Sequence, residues 1–149
     1  MQLNNNGIIA AEKWGQLDER FPEIEIDDFL VMPNHMHGII VIPDIVGAIH
    51  ELPLQDSDFN TAIQGDVTGK YSPIIRRQMT LPKVIGFYKM NTAKTINIAN
   101  DTRGTHVWQR NYYEHIIRNE DSLNRIRCYI QENPIRWSND PENPCRATL

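Results

Sequence analysis

The chain has little that would tie it to a membrane or to a disulfide scaffold. Only two of its 149 residues are cysteine, Cys128 and Cys145, and they match no zinc-ligand spacing. So sparse a pair reads as reduced thiols in a cytoplasmic protein. No apolar run approaches the ~18 residues that a spanning helix needs, which excludes a helical membrane protein. The first residues show no basic stretch followed by an apolar core, so no secretory signal is expected. Basic residues are also scarce overall, and the net charge is −4. That balance argues against a polyanion partner until its distribution is considered. Residues 1–69 hold two basic and twelve acidic side chains, and residues 70–149 hold thirteen basic and seven acidic. A net of −10 is thus followed by a net of +6, and the second part is able to present a basic face to nucleic acid. The same asymmetry also fits plain solvated surface.

What is present suits one α+β domain over residues 1–149. Ile8, Ile9, Ala11, Trp14 and Leu17 give a helical period over 5–20, ended by Phe21-Pro22. "EIEIDDFLVM" (23–32) alternates like a strand, Pro33-Asn34 marks a turn, and "HMHGIIVI" (35–42) reads as the returning strand. Residues 43–80 form a long polar excursion. The apolar spacing of Val84, Ile85, Tyr88 and Ile96 predicts a helix over 81–98. "THVWQRNYYEHIIRN" (105–119) has the composition of a strand. "EDSLNRIRCYIQENP" (120–134) predicts a second helix, with acids in its first turn and Pro134 past its end. The tail 138–149 is irregular.

The residues able to carry chemistry fall in two places. His35 and His37 are two apart on a strand, so both imidazoles point to one face, where they can reach one divalent cation. Such spacing is more often that of an ordinary surface or packing pair, and a metal site would need a third ligand and an open coordination position. On the helix 120–134, Leu123, Ile126 and Ile130 form the buried stripe. Tyr129 and Asn133, four apart, stack along its edge, with Arg125 one turn earlier. A phenol, an amide oxygen and a cation thus share one edge. If that edge faces the histidines, two imidazoles and Asn133 would hold a metal beside the Tyr129 oxygen. The plainer roles are a core-edge tyrosine and a helix-capping asparagine. Tyr112 and Tyr113 are rival nucleophiles, but neither has an amide at helical spacing. Trp108 suits either base stacking or core packing. Lys70, Arg76, Arg77, Lys83, Lys89, Lys94 and Arg125 are the candidates for phosphate contacts.

"MPNHMHGIIVI", followed downstream by "VWQRNYYEHIIRNEDSLNRIRCYIQENPIRW", resembles the HUH single-strand DNA transposases that use one tyrosine. It looks closest to their REP-associated branch and its insertion-sequence relatives. The two blocks cover about a third of the chain, and the order of elements between them also fits. The resemblance implies a ferredoxin-like antiparallel sheet with helices on one face. It implies Mg²⁺ or Mn²⁺ held by His35, His37 and Asn133. Tyr129 would then attack single-stranded DNA near a hairpin, forming a covalent 5′-phosphotyrosine and freeing a 3′-OH. Enzymes of that family often act as dimers, so a homodimer is one form the resemblance allows. Members of that family begin with a strand-bearing segment ahead of a stretch like "MQLNNNG", which Met1 opens here. The expectation is therefore a sheet lacking its first, central strand, with poor stability unless another strand replaces it. The alternative function is a catalytically inactive nucleic-acid-binding module. A metal-dependent hydrolase that uses water is a third, weaker possibility.

Overall fold

A computed structural model describes residues 2–43, 79–139 and 143. Most of the 43–80 excursion and of the 138–149 tail, with Lys70, Arg76 and Arg77, lies outside these residues. Their fold is α+β, with one two-stranded antiparallel sheet.

Helix α1 (Asn5–Gly15) begins where the Asn4 side chain accepts a 2.9 Å hydrogen bond from the Gly7 N–H. The single helix expected over 5–20 is broken. Gly15, the poorest helix former after proline, closes α1, and a separate turn, α2 (Leu17–Arg20), follows. Strands β1 (Glu25–Val31) and β2 (Met36–Val41) form the expected hairpin, closed by Met32 N–H donating to the His35 carbonyl at 2.8 Å. Ile26 pairs with Ile40 and Phe29 with Gly38. Three steps on β1 therefore oppose two on β2, and the extra residue makes a bulge at Asp27-Asp28.

Alternation sorts β2 into two faces. Met36, Ile40 and Ile42 pack, with Ile26 and Phe29, on a core of Trp14, Leu17, Ile24, Val84 and Tyr88. Gly38 shares that face: a Cβ built on it would stand 2.2 Å from Trp14 Cζ2. Helix α3 (Thr80–Ala99) completes this layer with Val84, Tyr88, Thr92 and Ile96 buried at four-residue intervals. Leu17 and Val84 are fully buried, each stabilising by about 1.5–3 kcal/mol relative to exposure. The Tyr88 hydroxyl donates to the Ala10 carbonyl at 3.1 Å, tying α3 to α1.

Helix α4 (Glu120–Arg136) starts at Asn119, whose side chain accepts from the Ser122 N–H, and carries Glu120 and Asp121 in its first turn. It runs through Pro134 rather than stopping before it. Proline has no N–H to return to Ile130, and the helix continues only to Arg136 before tightening into a 3₁₀ turn, Trp137–Asn139. Because α4 packs on the His37 side of the hairpin while α1 lies on the Gly38 side, the helices occupy both faces, not one.

The strand expected over 105–119 does not form among the described residues. Asn111 adopts a positive φ of 63°, which interrupts an extended run. The carbonyls of Gln109 and Asn111 accept from the Lys89 ammonium instead of from a neighbouring strand. Trp108 packs on Tyr88, with ring centroids 5.5 Å apart, in the core role of the two expected for it.

Candidate active site

His35 precedes β2 and His37 lies within it, so both rings leave the sheet on the face opposite the Trp14 core. Their Nε2 atoms are 3.1 Å apart. The Asn34 side-chain oxygen lies 2.7 Å from His35 Nδ1. That oxygen can accept a hydrogen bond from Nδ1–H, and in that tautomer Nε2 carries the lone pair.

Helix α4 and the 3₁₀ turn that follows it meet this pair along a stripe of residues four apart. The Tyr129 ring stands edge-on to His37 at 5.4 Å between centroids, and the Trp137 ring lies 6.0 Å from His35. Asn133 is midway between them in the sequence and only 4% exposed; its amide nitrogen is buried without a hydrogen-bond partner. Asn133 therefore sits inside the helix and is not its cap. Tyr129 is half-exposed and borders an open cleft of about 390 Å³ shared with Asn124, Arg125, Cys128, Glu132 and Arg136.

The spacing of the two imidazole nitrogens meets one requirement of a divalent-cation site. Two nitrogens bound at ~2.1 Å with a right angle between them stand about 3.0 Å apart, and the imidazole nitrogens here are 3.1 Å apart. Among the described residues, no three His, Cys, Asp or Glu side chains cluster, so a third protein ligand would be of another kind. The side-chain oxygen of buried Asn133, on the same helical stripe as Tyr129, is a group of that kind.

The opposite flank of α4 is fastened to the β1 bulge. Arg127 binds the Asp27 carboxylate through Nη2 at 2.7 Å and through Nε at 3.2 Å, and Gln131 donates to Asp28 at 2.8 Å. The hydrogen bond to Asp27 pushes the Arg127 guanidinium further above its ordinary pKa.

The expected basic residues are not gathered at Tyr129. Arg125 is beside it, with its guanidinium bound to Ser122 Oγ and the Asp121 carbonyl. Lys83 and Lys94 are exposed on α3, in the layer across the sheet. Lys89 donates to two backbone carbonyls, and partial burial lowers its pKa. Tyr113 is 92% exposed and Tyr112 half-buried; both lie in the irregular segment before α4, not on its stripe. Sequence reasoning missed Trp137, although one more four-residue step from Asn133 reaches it. It also missed Gly38, Asp27, Asp28, Arg127 and Gln131, whose roles depend on long-range contacts.

A Haemophilus influenzae protein named "Uncharacterized protein" is 36% identical to this chain over 140 residues, covering 94% of this chain and 71% of that protein. The two chains belong to one family. No family model and no solved structure matches the chain. Among the described residues, no helix is long and apolar enough to cross a membrane.

Proposed function

We propose that this chain is a divalent-cation-dependent HUH transposase, built on a ferredoxin-like framework, that cleaves and rejoins single-stranded DNA at hairpin-associated sites through Tyr129. One juxtaposition supports this reading: the Tyr129 ring stands against a histidine whose Nε2 is 3.1 Å from that of its neighbour. His35, His37 and Asn133 are the residues that would hold Mg²⁺ or Mn²⁺. The bound cation would supply Lewis-acid polarisation of a phosphate and hold it in place. Tyr129, reachable from solvent through the α4 cleft, then forms a P–O bond to the scissile phosphate as the P–O3′ bond breaks. The DNA is left as a 5′-phosphotyrosine ester with a free 3′-hydroxyl. One ester replaces another, so an incoming 3′-hydroxyl reverses the step without an external energy source. A phenol is a weak nucleophile near neutral pH because its pKa is ~10, and a nearby positive charge favours the phenolate. Arg125, one turn earlier, is the cationic side chain of α4 placed to meet the incoming phosphodiester. Action in the cytoplasm as a homodimer belongs to the same reading.

The test is incubation with end-labelled, hairpin-bearing single-stranded DNA and Mn²⁺, followed by a denaturing gel. The expected product is a protein–DNA adduct that Tyr129→Phe abolishes and that Tyr112→Phe and Tyr113→Phe leave intact. Binding without an adduct would instead identify a nucleic-acid-binding module. Cleavage without an adduct would identify a hydrolase.

A further inference from the structure

Helix α4 touches the hairpin along three lines. Ile130, 3% exposed, lies between the two flanks on the helical wheel. Tyr129 and Asn133 lie one turn apart on the flank toward the histidines. Arg127 and Gln131 lie one turn apart on the other flank. At 100° per residue, Tyr129 is about 160° around the helix from Arg127. Because a helix turns as a rigid unit, a rotation that detached one flank would swing the other.

The partners of Arg127 and Gln131 are consecutive residues, Asp27 and Asp28. In a regular strand, consecutive side chains point to opposite faces. The bulge between Ile26 and Phe29 lets both carboxylates serve α4. Arg127 grips its partner with a fork, through Nε and Nη2, and Nη1 also donates to Asn124 within α4 at 3.2 Å. A forked guanidinium fixes direction as well as distance, which a single point charge does not.

We infer that the Asp27–Arg127 and Asp28–Gln131 pairs are a positioning latch that sets the rotation of α4 and thereby holds Tyr129 against His37. None of the four touches the candidate cation site or the phenol; they act through the helix. The geometric claim stands alone, and its consequence for chemistry rests on the function proposed above.

The test has two readouts. The first is NMR of the full chain, following cross-relaxation between the His37 and Tyr129 ring protons. Contacts between Trp14 and Tyr88, whose centroids are 5.1 Å apart on the other face, serve as the folding control. Arg127→Met is expected to erase the His37–Tyr129 cross-peaks while the Trp14–Tyr88 peaks remain, and Arg127→Lys to restore them in part. If Arg127→Met loses the control peaks as well, Asp28→Ala, which cuts only the weaker tie, is expected to diminish the His37–Tyr129 peaks. Undiminished peaks in whichever of these variants keeps the control would overturn the latch. The second readout is adduct formation with hairpin DNA and Mn²⁺. Its rate is expected to fall about 10- to 100-fold in Arg127→Met with DNA affinity little changed, since displacement of about 1 Å costs that much. A wild-type chain that forms no adduct would remove the proposed function, while the cross-peaks would still decide for or against the latch.

Discussion

The Tyr129 ring meets the His37 ring edge-on, at 76° between planes and 5.4 Å between centroids. The contact joins residues 92 positions apart in the chain. Two things produce it: the hairpin turns the histidines away from the Trp14 core, and α4 lies on the side to which they turn.

Gly38 makes that division of faces possible. A methyl group there would stand 2.2 Å from Trp14 Cζ2 and 2.8 Å from Cε2, and the indole is buried with nowhere to retreat. Gly38→Ala is expected to destabilise the chain by about 1–3 kcal/mol or more through overpacking. Urea unfolding followed by tryptophan fluorescence will show a lower midpoint. Gly86→Ala, where a Cβ meets nothing within 4 Å, serves as the comparison, with an unchanged or higher midpoint.

Tyr88 should make the fold sensitive to alkali. Burial pushes its phenol well above the ordinary value of 10.0, against a smaller opposing effect of Thr92. In the unfolded chain the phenol ionises near 10; in the folded chain it keeps its proton. Above about pH 10 the unfolded state therefore binds fewer protons, and stability falls as pH rises. Lys89, lowered by burial, works in the opposite sense in the same range. The difference between wild type and Tyr88→Phe cancels that contribution. Urea midpoints between about pH 9 and 11 should fall more steeply in wild type than in Tyr88→Phe. Parallel slopes would contradict the burial effect.

Asn133 offers a separate handle on the proposed cation site. Its side chain is buried, and its oxygen is the atom that would face a cation. Asn133→Asp places a carboxyl in the same spot, where burial disfavours its charge unless a cation lies opposite. In chelator the variant should melt below wild type. Saturating Mn²⁺ should raise its melting temperature by more than it raises that of wild type, because the stabilisation of the folded state grows with the logarithm of the ion's affinity. Equal shifts in the two proteins would remove Asn133 from the site.

The alternating pattern of 23–32 and 35–42, split by Pro33-Asn34, identifies the hairpin because one face of each strand is buried. The same alternation sets His35 and His37 side by side. The four-residue spacing of Val84, Tyr88 and Ile96 likewise marks α3. The segment 105–119 misled because strand composition forms a strand only where an edge is open to pair, and here Lys89 takes the carbonyls of Gln109 and Asn111. Pro134 misled because a proline near a helix end removes one hydrogen bond without forbidding another turn. The Asp27-Asp28 bulge leaves no mark in the sequence: two consecutive acids in a strand read as one inward and one outward. At the candidate site, the histidines and the Tyr129–Asn133 step are legible from periodicity. The Arg127 and Gln131 ties are not, since their partners lie 100 and 103 residues away.

Pulsed electron paramagnetic resonance of Mn²⁺ added to the intact chain tests most directly the proposal that His35 and His37 hold an ion beside Tyr129. Modulation from imidazole nitrogen is expected in wild type and in Tyr129→Phe, and its loss is expected in the His35→Gln, His37→Gln double variant. Mn²⁺ that shows no nitrogen coupling in wild type, or the same coupling after both histidines are replaced, would contradict a cation held by this pair.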